Sequence, residues 1–382
     1  MIIKNGTIHN AVVEEAFVSD IKIENGKIAA IAQSIEAKED EEVIDASGKE
    51  IYPGFVEAHC HVGLARRAGQ GRGNADHNES NDVVTPHLRA IDGIDPMDEN
   101  FAKARLAGIT TVCTGPGSLN AIGGTFVAMK TYGICVDKMI IKNDVAMKCA
   151  FGENIKFGHG SKSTATRMTI AAVMRDILSK AKRYMEKIDA ANGDKSKYPP
   201  YDIKLESLLP VMRRQIPLKA HAHQANDIFT AIRIAKEFDL KLTLEHVTDG
   251  HLIVDELAQT GLYMAVGPTL TNAEKIELRN KSWQTPGALS NAGCHVSIIT
   301  DSPVISLDNL PICAAYAIKA GMKPFDALQA ITINAAEHAG VADRVGSIEV
   351  GKDADIIITD GNPFEVFTNV ETVIIDGNII TE

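Results

Sequence analysis

His59 and His61, one residue apart, end the apolar run Ile51-Tyr52-Pro53-Gly54-Phe55-Val56-Glu57-Ala58. Side chains of a strand alternate between faces, so residues i and i+2 project together and two imidazoles so placed can chelate one cation. Cys60, between them, points the other way and reads as core filler. Such a pair is a weak signal until its sequels are counted. His221 and His223 end another apolar run, His246 closes Leu242-Thr243-Leu244-Glu245, and Asp301 closes Val296-Ser297-Ile298-Ile299-Thr300. Nitrogen and carboxylate donors at successive strand ends are what a hydrolytic metal centre needs. A lone strand-end histidine is more often a satisfied core residue; the ordered series is what favours ligation.

Those strand ends need a scaffold that gathers them. Apolar runs at 55–59, 110–114, 126–130, 145–149, 218–223, 242–246, 262–267 and 296–301 alternate with helical patterns. Repeated βα units of this kind predict an α/β fold, a parallel (β/α)8 TIM-like barrel whose catalytic groups sit at the C-terminal strand ends. Met139-Ile140-Ile141 competes for the place of the third strand. One unit is enlarged: Thr166-Arg167-Met168 opens a helix to about Ile188 with apolar Ala171, Met174, Leu178, Ala181 and Met185 at helical spacing. Asn192 to Pro200 then reads as an exposed linker. Both ends of the chain are strand-and-turn sequence, with Glu24-Asn25-Gly26-Lys27 and Asp376-Gly377-Asn378 as hairpin turns. They are expected to meet in a small composite β-sandwich domain, 1–52 plus 343–382, beside a barrel over 53–342.

Bulk properties narrow the classes. With 45% hydrophobic and 23% charged residues in 382, the composition is that of a globular protein, neither disordered nor fibrous. A net charge of −11 disfavours nucleic acid or an anionic membrane as partner, and no apolar stretch reaches membrane-spanning length. The N-terminus lacks a signal pattern. Six scattered cysteines without CxxC spacing fit free thiols in a reducing cytoplasm. The expected partner is a small-molecule substrate, and a homo-oligomer is compatible with the sequence.

The run Pro53 to His61, the later strand-end donors in their order, and the tail Asp343-Arg344-Val345-Gly346-Ser347-Ile348-Glu349-Val350-Gly351-Lys352-Asp353-Ala354-Asp355 resemble the metal-dependent amidohydrolase superfamily over nearly the whole chain. Within it, the chain is most similar to the imidazolonepropionase-related group that contains Xaa-Pro dipeptidases. The resemblance implies that His59, His61 and Asp301 hold a first divalent metal, with His221 and His246 as further ligands and His223 facing the substrate. His223, two residues from His221 on the same face, could replace it. Members with two metals bridge them through a fourth-strand carboxylate, often a carbamylated lysine. Lys148 and Glu153 are the two candidates here, and an ordinary ion pair between them is the bland alternative. In one respect the chain departs from true imidazolonepropionases: Gln224 stands where they carry a glutamate beside the attacking water. A neutral amide cannot accept a proton, which favours an aspartate-centred mechanism.

The chemistry so implied is hydrolysis of an amide, cyclic amide or dipeptide C–N bond in a small molecule. One or two ions, zinc on the donor types, would activate water, with a second ion or His246 polarising the carbonyl and Asp301 shuttling the proton. The competing readings are a deaminase or imidazolonepropionase-like ring hydrolase, and a non-catalytic, metal-free scaffold. His159 and Arg167, after the fourth strand, are secondary candidates for substrate contact, Arg167 through a bidentate grip on a carboxylate. The polar loop 63–86, with Arg66, Arg67, Arg72 and His77, reads as an active-site loop, and Gly115 to Gly124 as a turn. No role is assigned to His77 itself, nor to His9, His87, His251, His295 or His338.

Overall fold

The computed structural model describes residues 1–65, 75–161 and 164–381. Its strands form two sheets of eight. The first takes β1 (Ile2–Ile8), β2 (Phe17–Glu24), β3 (Lys27–Ala32), β4 (Val43–Asp45) and β5 (Glu50–Pro53) from the start of the chain. It takes β14 (Ile356–Thr359), β15 (Val370–Ile375) and β16 (Asn378–Ile380) from the end. The two ends are joined where β14 runs antiparallel to β5, in the order β16-β15-β14-β5-β1-β2-β3 with β4 beside β1. Both wings bury isoleucines in one core, among them Ile3, Ile21, Ile23 and Ile28 from one and Ile356, Ile358 and Ile374 from the other. Two hairpins use the turn chemistry expected of them. Asn25 and Gly26 have φ of 52° and 75°, Asp376 and Gly377 48° and 74°, the left-handed pairs that match the twist of the flanking strands.

The second sheet is the barrel, in the order β6 (Phe55–Cys60), β7 (Ile109–Thr114), β8 (Ile122–Lys130), β9 (Ile140–Ala150), β10 (Leu218–Ala222), β11 (Leu242–His246), β12 (Tyr263–Val266) and β13 (His295–Ile298). Each of the eight expected runs overlaps one strand, and Met139-Ile140-Ile141 belongs to the approach and start of β9 rather than to the third. The expectation of an all-parallel barrel needs correction: β8 runs antiparallel to both β7 and β9. The linking segments are the reason. A parallel return needs a crossover of a dozen or more residues, but only 115–121 and 131–139 lie on either side of β8. The other adjacent pairs are parallel, so the C-terminal ends of β6, β7 and β9 to β13 share one mouth.

The seam between β13 and β6 is closed by side chain and loop. The buried Glu57 carboxylate accepts from Thr300 N at 2.9 Å and Thr300 Oγ1 at 2.7 Å, and His61 N donates to Ser302 O at 2.8 Å. Burial pushes the Glu57 carboxyl up to about 8, against those hydrogen bonds. The loop carrying Asp301 is thereby tied to the strand carrying His59 and His61. The long helix Arg167–Ala190 starts behind Thr166, whose hydroxyl caps Thr169 N, and buries Ala171, Met174, Leu178 and Ala181 as their spacing requires. Residues 192–198 are exposed, as a linker should be.

Candidate active site

His59 sits inside β6, His61 one residue past its end, His221 in β10 with His223 just after it, and His246 ends β11. Asp301 follows β13. All are buried, and they converge. His59, His246 and Asp301 offer donor atoms within 4.8 Å of one another, as do His221, His223 and His246. His61 Nε2 lies 3.2 Å, and His59 Nε2 3.7 Å, from Asp301 Oδ1. His246 needs a special backbone to join them. Alternation along β11 turns Glu245 into the barrel and should turn His246 out; its φ of 75° brings the imidazole back. Val247 at 47° and Asp301 at 53° are left-handed too. Non-glycine residues adopt such angles at a cost of about 1–3 kcal/mol each, typically where function demands it.

Hydrogen bonds orient several of these rings. His59 Nδ1 donates to Glu245 Oε2 at 3.0 Å, His61 Nδ1 to Gly115 O at 2.7 Å, and His246 Nδ1 to Gly267 O at 2.7 Å. Each bond leaves the Nε2 lone pair facing the mouth, the arrangement metal-binding histidines commonly show. Glu245 reaches His59 across the barrel, since β11 and β6 are not neighbours. It is fully buried and also receives Lys219 Nζ at 2.9 Å, His338 Nε2 at 2.9 Å and Thr243 Oγ1 at 2.8 Å. Burial alone would raise this carboxyl; His338 and Lys219 more than offset that and hold it well below its usual range.

The donor set fits a cation. Among the described residues, buried His246 Nε2, Asp301 Oδ1 and both nitrogens of His221 have no hydrogen-bond partner. Buried polar atoms seldom go unsatisfied, and imidazole with carboxylate is the donor chemistry of zinc and similar ions. The imidazoles are also in the right form. Burial drives His59, His221 and His246 well below the ordinary value and His223 down to about 4, so all are neutral near pH 7. Asp301 is ionised: burial would raise it, but His246, His61 and His59 draw it below the usual carboxylate range.

The two bridge candidates are separated by the structure. Lys148 is buried in β9 with Nζ 3.0 Å from His59 Nε2. Glu153 begins the helix Glu153–His159, and its backbone N–H donates to Glu277 Oε2 at 2.8 Å. The cavity at the mouth, about 430 Å3, is lined by His61, His77, Asn154, His221, His223, Lys275 and Asp301 among others, with Lys148 and Glu153 absent from its wall. Clefts of about 740 and 780 Å3 elsewhere touch none of the clustered histidines.

Arg167 and His159 stand apart. The Arg167 Nε donates to both oxygens of Asp227 at 3.0 Å, and an Nη to Gln224 Oε1 at 2.6 Å, so the guanidinium is engaged within the protein. His159 is buried at the end of its helix and does not line the cavity. Arg66, Arg67 and Arg72 lie outside the described residues. The sequence reading missed three groups. His77 lines the cavity, its ring centroid 5.6 Å from that of His61, and burial lowers it to about 4. His338 reaches Glu245, and Glu277 is buried beside His221 and His223 with its Oε1 4.0 Å from each Nε2. An acid in the stretch Thr269 to Glu277, which also holds Glu274, gives no periodic or motif signal.

Known proteins resemble the chain over most of its length. Amidohydrolase tasK of Hapsidospora irregularis is 29% identical over 94% of the chain, which spans only 40% of that protein's length. An imidazolonepropionase of Thermoplasma volcanium is 26% identical over 94% of the chain and 90% of its own length. The crystal structure of an amidohydrolase from Thermotoga maritima MSB8 superposes with a TM-score of 0.95 at 39% identity, covering 100% of this chain and 99% of that one. A Xaa-Pro dipeptidase structure, 18% identical with TM-score 0.62 and covering 100% and 99%, shares the fold. The model of the amidohydrolase family matches residues 51–380, and the chain belongs to that family.

Proposed function

We propose that the protein hydrolyses a C–N bond of a small polar molecule, an amide, cyclic amide or dipeptide, at a divalent metal centre. The carrying observation is the set of unpartnered buried donors from separate strands that meet at one mouth, His246 Nε2, His221 and Asp301 Oδ1. In this reading His59, His61 and Asp301 hold one ion, and His221 and His246 serve a second. Zinc best suits the donors, and its role when bound is to supply Lewis acidity and bring the pKa of water to about 7. Lys148, rather than Glu153, would supply the fourth-strand carboxylate that helps hold the metal centre. Burial pushes its amine down to about 8, so part of it is unprotonated near neutrality and able to take up CO2 as a carbamate, releasing a proton.

Asp301 accepts the proton of the attacking water and delivers it to the leaving nitrogen. Its ionised state and its place beside His61 on the cavity wall suit both tasks. A second ion held by His221 and His246 would polarise the carbonyl oxygen on which charge develops. A cavity of about 430 Å3 walled by Asn, Ser, Thr, Lys and Glu side chains together with Pro268, Leu278 and Val304 fits a small substrate with polar and apolar parts. The six unpaired cysteines, and the absence of any described helix long and apolar enough to cross a membrane, accord with cytoplasmic placement.

Metal-loaded protein should release product from a panel of dipeptides and cyclic amides. Ammonia from adenine or amidines, with dipeptides and cyclic amides untouched, would replace this reading by a deaminase. No turnover of any C–N substrate by protein shown to carry metal would end it.

A further inference from the structure

Lys275 is the only lysine or arginine among the described residues that line the cavity at the mouth. It stands half-buried on the loop between β12 and the helix Gln284–Asn291. Its Nζ donates to Asn154 Oδ1, and Asn154 Nδ2 donates to Ser118 Oγ at 2.7 Å. The loops after β7, β9 and β12 thus meet in one polar ridge on the cavity wall.

An ammonium has three N–H donors and a serine hydroxyl has one. Among the described residues, Lys275 spends one donor, on Asn154, and the Ser118 hydroxyl accepts from Asn154 without an acceptor of its own. Glu277 Oε1 stands 3.8 Å from Lys275 Nζ, too far for a hydrogen bond. A second lysine of the same loop shows what a purely internal role looks like. Lys281 Nζ donates to Thr271 O, to Thr271 Oγ1 at 2.5 Å and to Asn272 O at 3.1 Å, so its donors are used within the protein.

Uncommitted donors on Lys275 and Ser118 therefore flank Asn154 at the wall. A carboxylate, with two oxygens that each accept, matches such a pair, and its charge matches the ammonium. Glu274 is on the wall too, but it is exposed, and water and salt screen its repulsion of an anion. Glu277 Oε1 is in turn 4.0 Å from His221 Nε2. That keeps the ammonium within reach of a substrate held at the histidines and spanning about 7 Å, the length of two extended residues.

We propose that Lys275 and Ser118, coupled through Asn154, grip a carboxylate of the substrate, so that the preferred substrates are amides bearing a free carboxylate rather than neutral amides. The proposal rests on the hydrolase reading above and names its substrate class.

The test is equilibrium binding, by calorimetry, of two hydroxamates to zinc-loaded protein: succinic acid monohydroxamate, and butyrohydroxamate, in which a methyl replaces the carboxylate. Both carry the same metal-chelating group. Wild type is expected to bind the acid more tightly by about 10–100-fold, the effect of hydrogen bonds to a charged group. In Lys275→Met that preference should disappear, while the neutral hydroxamate binds within about threefold of its wild-type affinity. Ser118→Ala should reduce the preference by about 3–10-fold. Equal binding of the two probes by wild type would overturn the proposal. So would a preference that survives Lys275→Met, whether both probes bind as before or weaken together as a merely structural lysine would make them. If Lys275→Met fails to fold, Ser118→Ala decides, and an unreduced preference there overturns the proposal. Zinc-loaded wild type that binds neither hydroxamate would instead defeat the metal-centre reading, and the proposal with it, so the two failures are told apart.

Discussion

On one side of the barrel mouth, His59 and His61 each have Nδ1 tied, to Glu245 and to the Gly115 carbonyl, and Glu57 locks their strand to the Asp301 loop. On the other side His223 is held through Nδ1 to Thr248 Oγ1 at 2.7 Å, while His221 has no hydrogen bond on either nitrogen. The first side is set by folding: its rings cannot turn without breaking bonds to buried partners. The second is left for its ligand to order. Two ions bound at such sites should differ in affinity, because the outer partners of a ligating histidine fix its tautomer and orientation.

The largest effect is expected at Asp301, to which the proposed function gives both an ion and the proton of the attacking water. Asp301→Asn keeps the shape but removes the acceptor, and kcat is expected to fall by about 10²–10⁴-fold. Retained metal with near-full turnover would remove Asp301 from the proton path. Next comes Glu245→Gln, which deprives His59 of its charged partner. Chelator competition should show the His59 side weakened by about 10–100-fold and the His221 side little changed. Equal loss on both sides would mean that the two halves do not differ as described.

A third test uses pH on the metal-free protein. His77 and His223 have folded values of about 4, against about 6.5 unfolded. Below pH 6.5 the unfolded chain gains protons that the folded one refuses, so these groups favour folding fully above 6.5 and lose that contribution as pH falls towards 4. Thermal midpoints should drop across that window, and less steeply in His77→Gln. An unchanged slope would show that burial does not hold His77 neutral. The smallest effect is expected for Arg167→Ala. It breaks a partly exposed pair with Asp227, worth about 1 kcal/mol or less, and kcat/KM should stay within about threefold. A hundredfold rise in KM would restore Arg167 as a substrate contact.

Much of this was legible from residue order. Apolar runs alternating with helical patterns located all eight barrel strands, and histidines at the ends of three of those runs marked most of the clustered donors. Strand direction was not legible. The residues of β8 read alike in either sense, and only the lengths of 115–121 and 131–139 reveal that it is reversed. Lys148 and Glu153 are five residues apart and chemically eligible alike; a strand interior against a helix start separates them in space. Glu277 follows exposed Glu274 and half-buried Lys275 in what reads as a solvated loop, and its burial depends on contacts far away in sequence. Arg167 is the converse case: its partner Asp227 lies 60 residues on, out of reach of any local pattern.

The most direct measurement is a crystal of zinc-loaded protein with anomalous differences collected at the zinc edge. A peak about 2.0–2.2 Å from the Nε2 atoms of His59 and His61 and from an Asp301 oxygen is expected. Zinc bound only elsewhere, or a map without any peak at the barrel mouth, would contradict the assignment of these residues to a metal centre.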